Sequence, residues 1–360
     1  MNCSGPIKVL IVDDSVLVRS ILVRVLSGHT DIHVVGDARD PYEARDLIIQ
    51  HKPNVIILDI EMPRMDGLTF LRRLRAHYPV PVIMCSSIAP ANSRIALEAL
   101  AAGAVDVVAK PTSGGTESLH RLGEDLADKI RAAVVAKSPP QTVSPSAGRT
   151  ISSFREAGLD PTRYIVAIGA STGGTEAIRQ VLMHVPPDFP PVVMVQHMPA
   201  GFTQSFAGRL DSFSPLKVTE AVGGEILEPG RAFLARGNVQ MHIRRTVGRW
   251  RVEYGGSEPV NRHCPSVDYL FDSVVAAGQQ AVGVLLTGMG ADGAQGLLRM
   301  RRAGALTIAQ TEASCVIYGM PKVAVELGAV QLQCAPADTA RTIINALRAR
   351  DLRRAAVETA

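Results

Sequence analysis

Aromatic residues are scarce in this chain of 360 residues: they make up 4% of it, although 46% is hydrophobic. That balance suits aliphatic α/β cores. No recognition-helix pattern occurs, which argues against nucleic-acid binding. The five cysteines, Cys3, Cys85, Cys264, Cys315 and Cys334, are odd in number and lack metal-ligand spacing. This is the pattern of a reducing compartment, with Cys85 and Cys334, both in apolar runs, expected as buried thiols. There is no run of 18 apolar residues and no signal-peptide pattern, so a cytoplasmic protein without membrane insertion is expected. Neither sign of charge dominates, the formal net charge being +4. The glycine-rich turn at 169–174 has neither the spacing G-x-G-x-x-G nor a P-loop lysine, which argues against a nucleotide site there.

What is present centres on Gly169-Ala170-Ser171-Thr172-Gly173-Gly174. It follows an apolar, strand-like run (164–168) and opens a helix-like run (175–183). Glycines let such a turn bend sharply and expose the hydroxyl, and a helix N-terminus offers free N–H groups where an oxyanion would form. A Gly-rich turn of this kind also suits a phosphate cradle. Two further apolar runs bear on the choice. Residues 192–196 read as a strand ending at His197, and residues 281–286 as a strand leading to Thr287-Gly288-Met289-Gly290-Ala291-Asp292-Gly293. In a parallel α/β sheet, reacting groups gather beyond the carboxyl ends of the strands. A strand-end histidine alone often serves only as a hydrogen-bonding group, and an aspartate after such a turn often caps a helix. Ser171, His197 and Asp292 at one sheet edge, however, are the nucleophile, base and acid of a catalytic triad.

The first third alternates short Val/Ile-rich strands (7–12, 33–36, 55–58, 80–85, 104–108) with helix-like segments (41–51, 68–76, 93–102), the pattern of a doubly wound parallel sheet. Its strand ends carry Asp13 and Asp14, Asp59, Ser86 and Lys110. Three converging carboxylates repel one another and call for a hard cation such as Mg²⁺. A phosphoryl group on Asp59 would carry charge that Mg²⁺, Lys110 and the Ser86 hydroxyl could neutralise.

Residues 7–111 resemble a two-component receiver domain through Val12-Asp13-Asp14-Ser15, the run Leu58 to Gly67 (LDIEMPRMDG), Ser86-Ser87 and Lys110-Pro111. The resemblance implies a flavodoxin-like fold. It also implies Asp59 as phospho-acceptor, Asp13, Asp14 and Asp59 as Mg²⁺ ligands helped by the backbone carbonyl of Glu61, and Ser86 and Lys110 in support. Receivers commonly carry an aromatic residue three positions before the lysine; Val107 stands there, so an aromatic toggle is excluded.

A Pro/Ser-rich stretch without hydrophobic period follows, and 136–162 is expected to be a flexible linker between a domain at 1–135 and one at 163–350, with a tail at 351–360. In the second domain, segments 233–235, 239–243 and 250–254 read as an antiparallel hairpin or meander inserted in an α/β frame. Helices are expected over 266–277, 291–303, 321–327 and 337–350, and a strand over 305–309. Residues 163–360 carry twenty basic and sixteen acidic side chains, and Arg244, Arg245, Arg249 and Arg251 cluster in the hairpin, a patch that would attract an acidic surface or else form a solvated face.

This domain resembles the catalytic domain of the chemotaxis protein-glutamate methylesterases (CheB). The matching motifs are the Ser171 turn, Gln196-His197-Met198-Pro199, Pro265-Ser266-Val267-Asp268, the Asp292 turn and Tyr318-Gly319-Met320-Pro321. With the receiver, the resemblance covers nearly the whole chain. It implies a Rossmann-like domain with an antiparallel insertion. It implies a phosphorylation-activated carboxylic ester hydrolase that removes methyl groups from glutamate γ-methyl esters on the cytoplasmic helices of chemoreceptors, with glutamine deamidation as a second activity. Ser171 would be the nucleophile, His197 the base, Asp292 the residue that orients it and the Met289 N–H an oxyanion donor. No cofactor would serve the hydrolysis, Mg²⁺ would serve only phosphorylation, and a chemotaxis-type histidine kinase would be the phosphodonor. Where the family usually has arginine this chain has Cys264, expected to be a small surface residue. The contrasting reading is a binding module in which Ser171 is only a turn residue.

Overall fold

The computed structural model of the protein describes residues 5–87, 89–111, 116–136 and 153–358. The chain divides into two compact units, Met1–Ser138 and Pro139–Ala360.

The first unit alternates β1 (Ile7–Val12), α1 (Val16–Leu26), β2 (Ile32–Ala38), α2 (Pro41–His51), β3 (Val55–Asp59), α3 (Gly67–His77), β4 (Val82–Ser86), α4 (Pro90–Ala101), β5 (Asp106–Ala109) and α5 (Thr116–Val135). Its strands form one parallel sheet in the order β2-β1-β3-β4-β5. β3 is buried at all five positions, which is why its sequence is unbroken by polar alternation until Asp59. On one face Val9, Ile11, Ile57 and Ile83 pack with Leu22 of α1 and Leu126 and Ile130 of α5. The helices start where side chains satisfy free N–H groups: Ser15 caps α1, Asp40 caps α2 ahead of Pro41, and Asp66 caps α3. The cap of α1 is thus Ser15, which leaves Asp13 and Asp14 for other work. Strand order reverses between β2 and β3 around β1, so Asp13 and Asp59 fall at the crevice where such sheets bind ligands.

The second unit runs β6 (Ile165–Ala170), α6 (Gly174–Met183), β7 (Val192–Gln196), α7 (Phe202–Asp211), β8 (Lys217–Glu220), β9 (Arg231–Leu234), β10 (Met241–Thr246), β11 (Arg249–Tyr254), α8 (Val267–Val274), β12 (Ala281–Leu285), α9 (Ala294–Arg302), β13 (Leu306–Gln310), α10 (Met320–Glu326), β14 (Leu332–Cys334) and α11 (Thr339–Glu358). Seven strands form a parallel sheet in the order β14-β13-β12-β6-β7-β9-β8. β6, β7 and β12, which carry the Ser171, His197 and Asp292 turns, are its centre. β10 and β11 form a separate antiparallel pair, and Ile243 and Val252 pack with Leu270 and Phe271 of α8 in the main core.

Four expectations need correction. The segment 233–235 is not part of the hairpin: β9 pairs in parallel with β7 and β8 inside the main sheet, and only β10 and β11 form the insertion. The edge strands β8 and β14 are not evident in the sequence, being short and only partly buried. Residues 137–152 of the expected linker lie outside the described residues. Its last part, however, is folded: Phe154 is fully buried against Phe189 and Tyr164, and Asp188 accepts from Ser153 Oγ and the Phe154 and Arg155 amides. The expected tail is not separate either, because α11 runs through it to Glu358 and Asp351 accepts from the Tyr164 hydroxyl. Among the thiols, Cys85 and Cys315 are buried, whereas Cys334, expected to be buried, is only half-buried; Cys264 is a free, half-buried thiol whose pKa burial raises, and Cys3 lies outside the described residues.

Candidate active site

The ends of β6, β7 and β12 are tied together by backbone hydrogen bonds. The Ser171 amide donates to the Thr287 carbonyl (3.0 Å) and the His197 amide to the Ala170 carbonyl (3.0 Å). The Gln196 side-chain amide, which is buried, donates to the Ser171 carbonyl at 2.9 Å. Two glycines are required by space as well as by backbone. Gly173 sits at φ 79°, and a Cβ there would lie 2.6 Å from Val316. A Cβ on Gly288 would lie 2.6 Å from the Ser171 Cβ, so the Thr287–Gly288 turn packs directly on the serine. Met289 follows, half-buried, in a turn fixed by Gly288 N–H to the Ile317 carbonyl and Met320 N–H to the Gly288 carbonyl.

His197 and Asp292 meet: Nε2 lies 2.9 Å from Asp292 Oδ2, with the two side chains 8% and 1% exposed. Asp292 lies before the first turn of α9 and does not cap that helix with its side chain. It accepts instead from the N-terminus of α8, through the Val267 amide (2.7 Å) and the Asp268 amide (3.2 Å), and from Ser266 Oγ (2.8 Å) and Asn261 Nδ2 (2.9 Å). Burial pushes the Asp292 carboxyl up. The His197 hydrogen bond and charge, with Asn261 and the Val267 amide, more than offset it and hold the group well below the usual carboxylate range. An ionised Asp292 accepts only, so Nε2 carries the proton and the Nδ1 lone pair is the basic one. Nδ1 is buried with no hydrogen-bond partner. The ring of His263 stacks on that of His197, centroids 3.7 Å apart and planes 15° from parallel.

Sequence reasoning did not find Asn261, His263, Ser266 or Gln196 as members of this site. Gln196 and Ser266 lie inside recognised motifs without an assigned task. Asn261 and His263 sit on an irregular loop where no periodicity points to them.

In the receiver-like unit the carboxylates of Asp13, Asp14 and Asp59 each offer an oxygen within 4.8 Å of the others, two of the residues buried and one exposed. Lys110 Nζ lies 2.7 Å from Asp59 and 2.9 Å from Asp13. Burial, together with the Asp13 charge, raises the Asp59 carboxyl to about 6 against the opposing pull of Lys110. Lys110 is lowered by burial but raised more by Asp59 and Asp13, the net shift being upward. Ser86 is fully buried at the end of β4, one residue beyond the Asp59–Cys85 pairing, and Lys110 N–H donates to its carbonyl. Three carboxylates, one of them open to solvent, are a hard oxygen set that fits a small divalent cation better than Lys110 alone can satisfy it. Val107 is buried in β5 opposite Met84. Arg244, Arg245 and Arg249 are exposed on β10 and β11, whereas Arg251 is half-buried and donates to the Gly224 carbonyl. Among the described residues no helix is long and apolar enough to cross a membrane.

A family profile described as CheB methylesterase matches residues 166–343, and one described as response regulator receiver domain matches residues 9–120. A protein-glutamate methylesterase/protein-glutamine glutaminase of Syntrophus aciditrophicus is 50% identical over 329 residues, 90% of this chain and 94% of that protein. One from Dechloromonas aromatica is 47% identical over 349 residues, 96% of this chain and all of that protein. The crystal structure of the Thermotoga maritima CheB methylesterase catalytic domain is 35% identical and covers 51% of this chain and 97% of that domain, with a TM-score of 0.49. With relatives this similar along nearly its whole length, this chain belongs to the CheB methylesterase family and carries a response regulator receiver domain ahead of the hydrolase.

Proposed function

We propose that this protein is a phosphorylation-activated protein-glutamate methylesterase. It hydrolyses glutamate γ-methyl esters on the cytoplasmic helices of chemoreceptors and deamidates glutamines by the same acyl-transfer route. The observation that carries the reading is the His197–Asp292 pair, at the ends of the two strands that flank β6 and its Ser171 turn, with a buried, unpartnered Nδ1 on the imidazole.

Ser171 Oγ attacks the ester carbonyl while His197 Nδ1 takes its proton. The negative charge that develops on the carbonyl oxygen is met by the Met289 N–H. The tetrahedral intermediate collapses, the C–O bond to the methoxy group breaks, and the His197 proton leaves with it as methanol. Water then attacks the acyl-enzyme, passing a proton to Nδ1; collapse returns that proton to Ser171 and releases glutamate. Asp292 holds the tautomer and stabilises the imidazolium in both steps.

Asp59 accepts the phosphoryl group from a chemotaxis-type histidine kinase. Asp13, Asp14 and Asp59, with the Glu61 carbonyl, would hold Mg²⁺, which when bound neutralises phosphoryl charge. Lys110 and Ser86 contact the phosphoryl oxygens. The working division is a receiver over 1–135, a connecting segment, and a hydrolase that begins near residue 153 instead of 163. The site of action is the cytoplasm.

A serine-directed fluorophosphonate tests the catalytic assignment. Wild type is expected to be labelled on Ser171, and labelling to be lost in Ser171→Ala and to slow by at least about a hundredfold in His197→Gln. Labelling of His197→Gln at the wild-type rate would mean that Ser171 is not activated by this histidine.

A further inference from the structure

Between β11 and α8 the chain makes a tight turn whose place in the site has no precedent in the roles assigned above. Val260 and His263 exchange backbone hydrogen bonds in both directions (3.0 and 2.9 Å), and the two residues between them, Asn261 and Arg262, both have positive φ (51° and 67°). Positive φ at both central positions is what a type I′ turn demands, and asparagine tolerates it better than most residues. Arginine does not, so tertiary contacts must hold the turn. They come from Gln240, 1% exposed, whose side-chain amide donates to the carbonyls of Glu258 (3.0 Å) and His263 (2.9 Å) while its oxygen accepts from the Ser266 amide (2.8 Å).

We propose that this turn is a clamp on the catalytic base, with His263 and Asn261 as positioning residues. The proposal rests on the methylesterase reading. His197 is held in its ring plane by one hydrogen bond, Nε2 to Asp292, and its Nδ1 has no partner. One such bond leaves the ring free to rock about its axis. The His263 ring, 3.7 Å away and within 15° of parallel, removes that freedom and keeps Nδ1 aimed as proton transfer requires. Asn261 acts on the other partner. Its Nδ2 bridges Asp292 Oδ1 (2.9 Å) and Asp268 Oδ2 (2.7 Å), which fixes the rotation of Asp292 so that Oδ2 faces the imidazole. Neither residue touches substrate in this account; each acts through His197.

The test uses the full chain and methanol release from methyl-esterified receptor peptides, with kcat and KM measured separately and the thermal midpoint recorded for each variant. His263→Ala is expected to lower kcat by about tenfold to a hundredfold with KM within about twofold of wild type. His263→Phe, which keeps a flat ring but no nitrogen, is expected to recover to within about threefold of wild type. Asn261→Ala is expected to lower kcat, and its effect should not multiply with that of His263→Ala, because both act through one imidazole. The proposal is overturned if His263→Ala keeps wild-type kcat, or if a folded His263→Phe is as slow as the alanine variant. Should the alanine variant fail to fold, the phenylalanine variant decides alone: near-wild-type kcat supports the clamp, and a large loss at an unchanged midpoint removes it. Failure of the methylesterase reading has a different signature, in which wild type and Ser171→Ala release equally little methanol and the clamp falls with it.

Discussion

Asp292 accepts hydrogen bonds from His197, Asn261, Ser266 and two amides of α8, and this settles which imidazole nitrogen is basic. Asp292→Asn would put an NH₂ group against these donors and favour the wrong tautomer. It is expected to cost about 2–4 kcal/mol of stability and about 10³–10⁴-fold in kcat, read by thermal melting and methanol release. Ser171→Ala should abolish turnover with stability changed by no more than about 0.5 kcal/mol. Asp59 is the opposite electrostatic case. Its folded pKa, about 6, lies above the value of about 4 expected in the unfolded chain, so the folded state holds its proton more tightly. Stability attributable to this residue is therefore lost as pH rises from about 4 to about 6. Asp59→Asn, with no charge to bury, should stabilise the receiver at pH 7.5 by on the order of 1–3 kcal/mol, read as a raised melting midpoint, and the gain should shrink at pH 4.5. An unchanged difference between the two pH values would show that the Asp59 charge is not strained by burial.

The elements explain why some of this could be read from sequence and some could not. β6, β7 and β12 are buried at every position, so each appears as a continuous aliphatic run and its terminal Ser171, His197 or Asp292 turn can be located at once. β8 and β14, three or four residues long at the sheet edges, leave no such run. Alternation cannot place β9, because it says nothing about direction: the pairing of Ala232 and Phe233 with Val192 and Val193 shows that it runs parallel. The clamp turn was invisible because Asn261 and His263 gain their meaning from contacts with residues 31 and 66 positions away. Gly288 makes a direct element-level test. A methyl group there meets Ser171 and Met320, so Gly288→Ala should destabilise the hydrolase by about 1–3 kcal/mol and lower turnover with it. On the hairpin, Arg244 faces Arg251 across the strands with Arg249 and Arg245 nearby, an arrangement that like charges disfavour. Replacing exposed Arg244, Arg245 and Arg249 with serine should raise KM for receptor peptides several-fold, leave kcat unchanged and weaken the salt dependence. Unchanged KM at low salt would mean the patch is only a solvated face.

For the molecule as a whole, the proposed function makes a receiver the control of a serine esterase in one chain. Val107 is buried and aliphatic where many receivers carry an aromatic residue, so a signal from a phosphorylated Asp59 would have to leave without an aromatic toggle. The most direct measurement is methanol release from methylated receptor fragments by wild type, Ser171→Ala and Asp59→Asn, each with and without Mg²⁺ and a small-molecule phosphodonor. Release is expected to require Ser171, to rise with phosphodonor and Mg²⁺ together in wild type, and not to rise in Asp59→Asn. Release from Ser171→Ala at the wild-type rate would contradict the catalytic half of the claim, and an equal rise in Asp59→Asn would contradict the regulatory half.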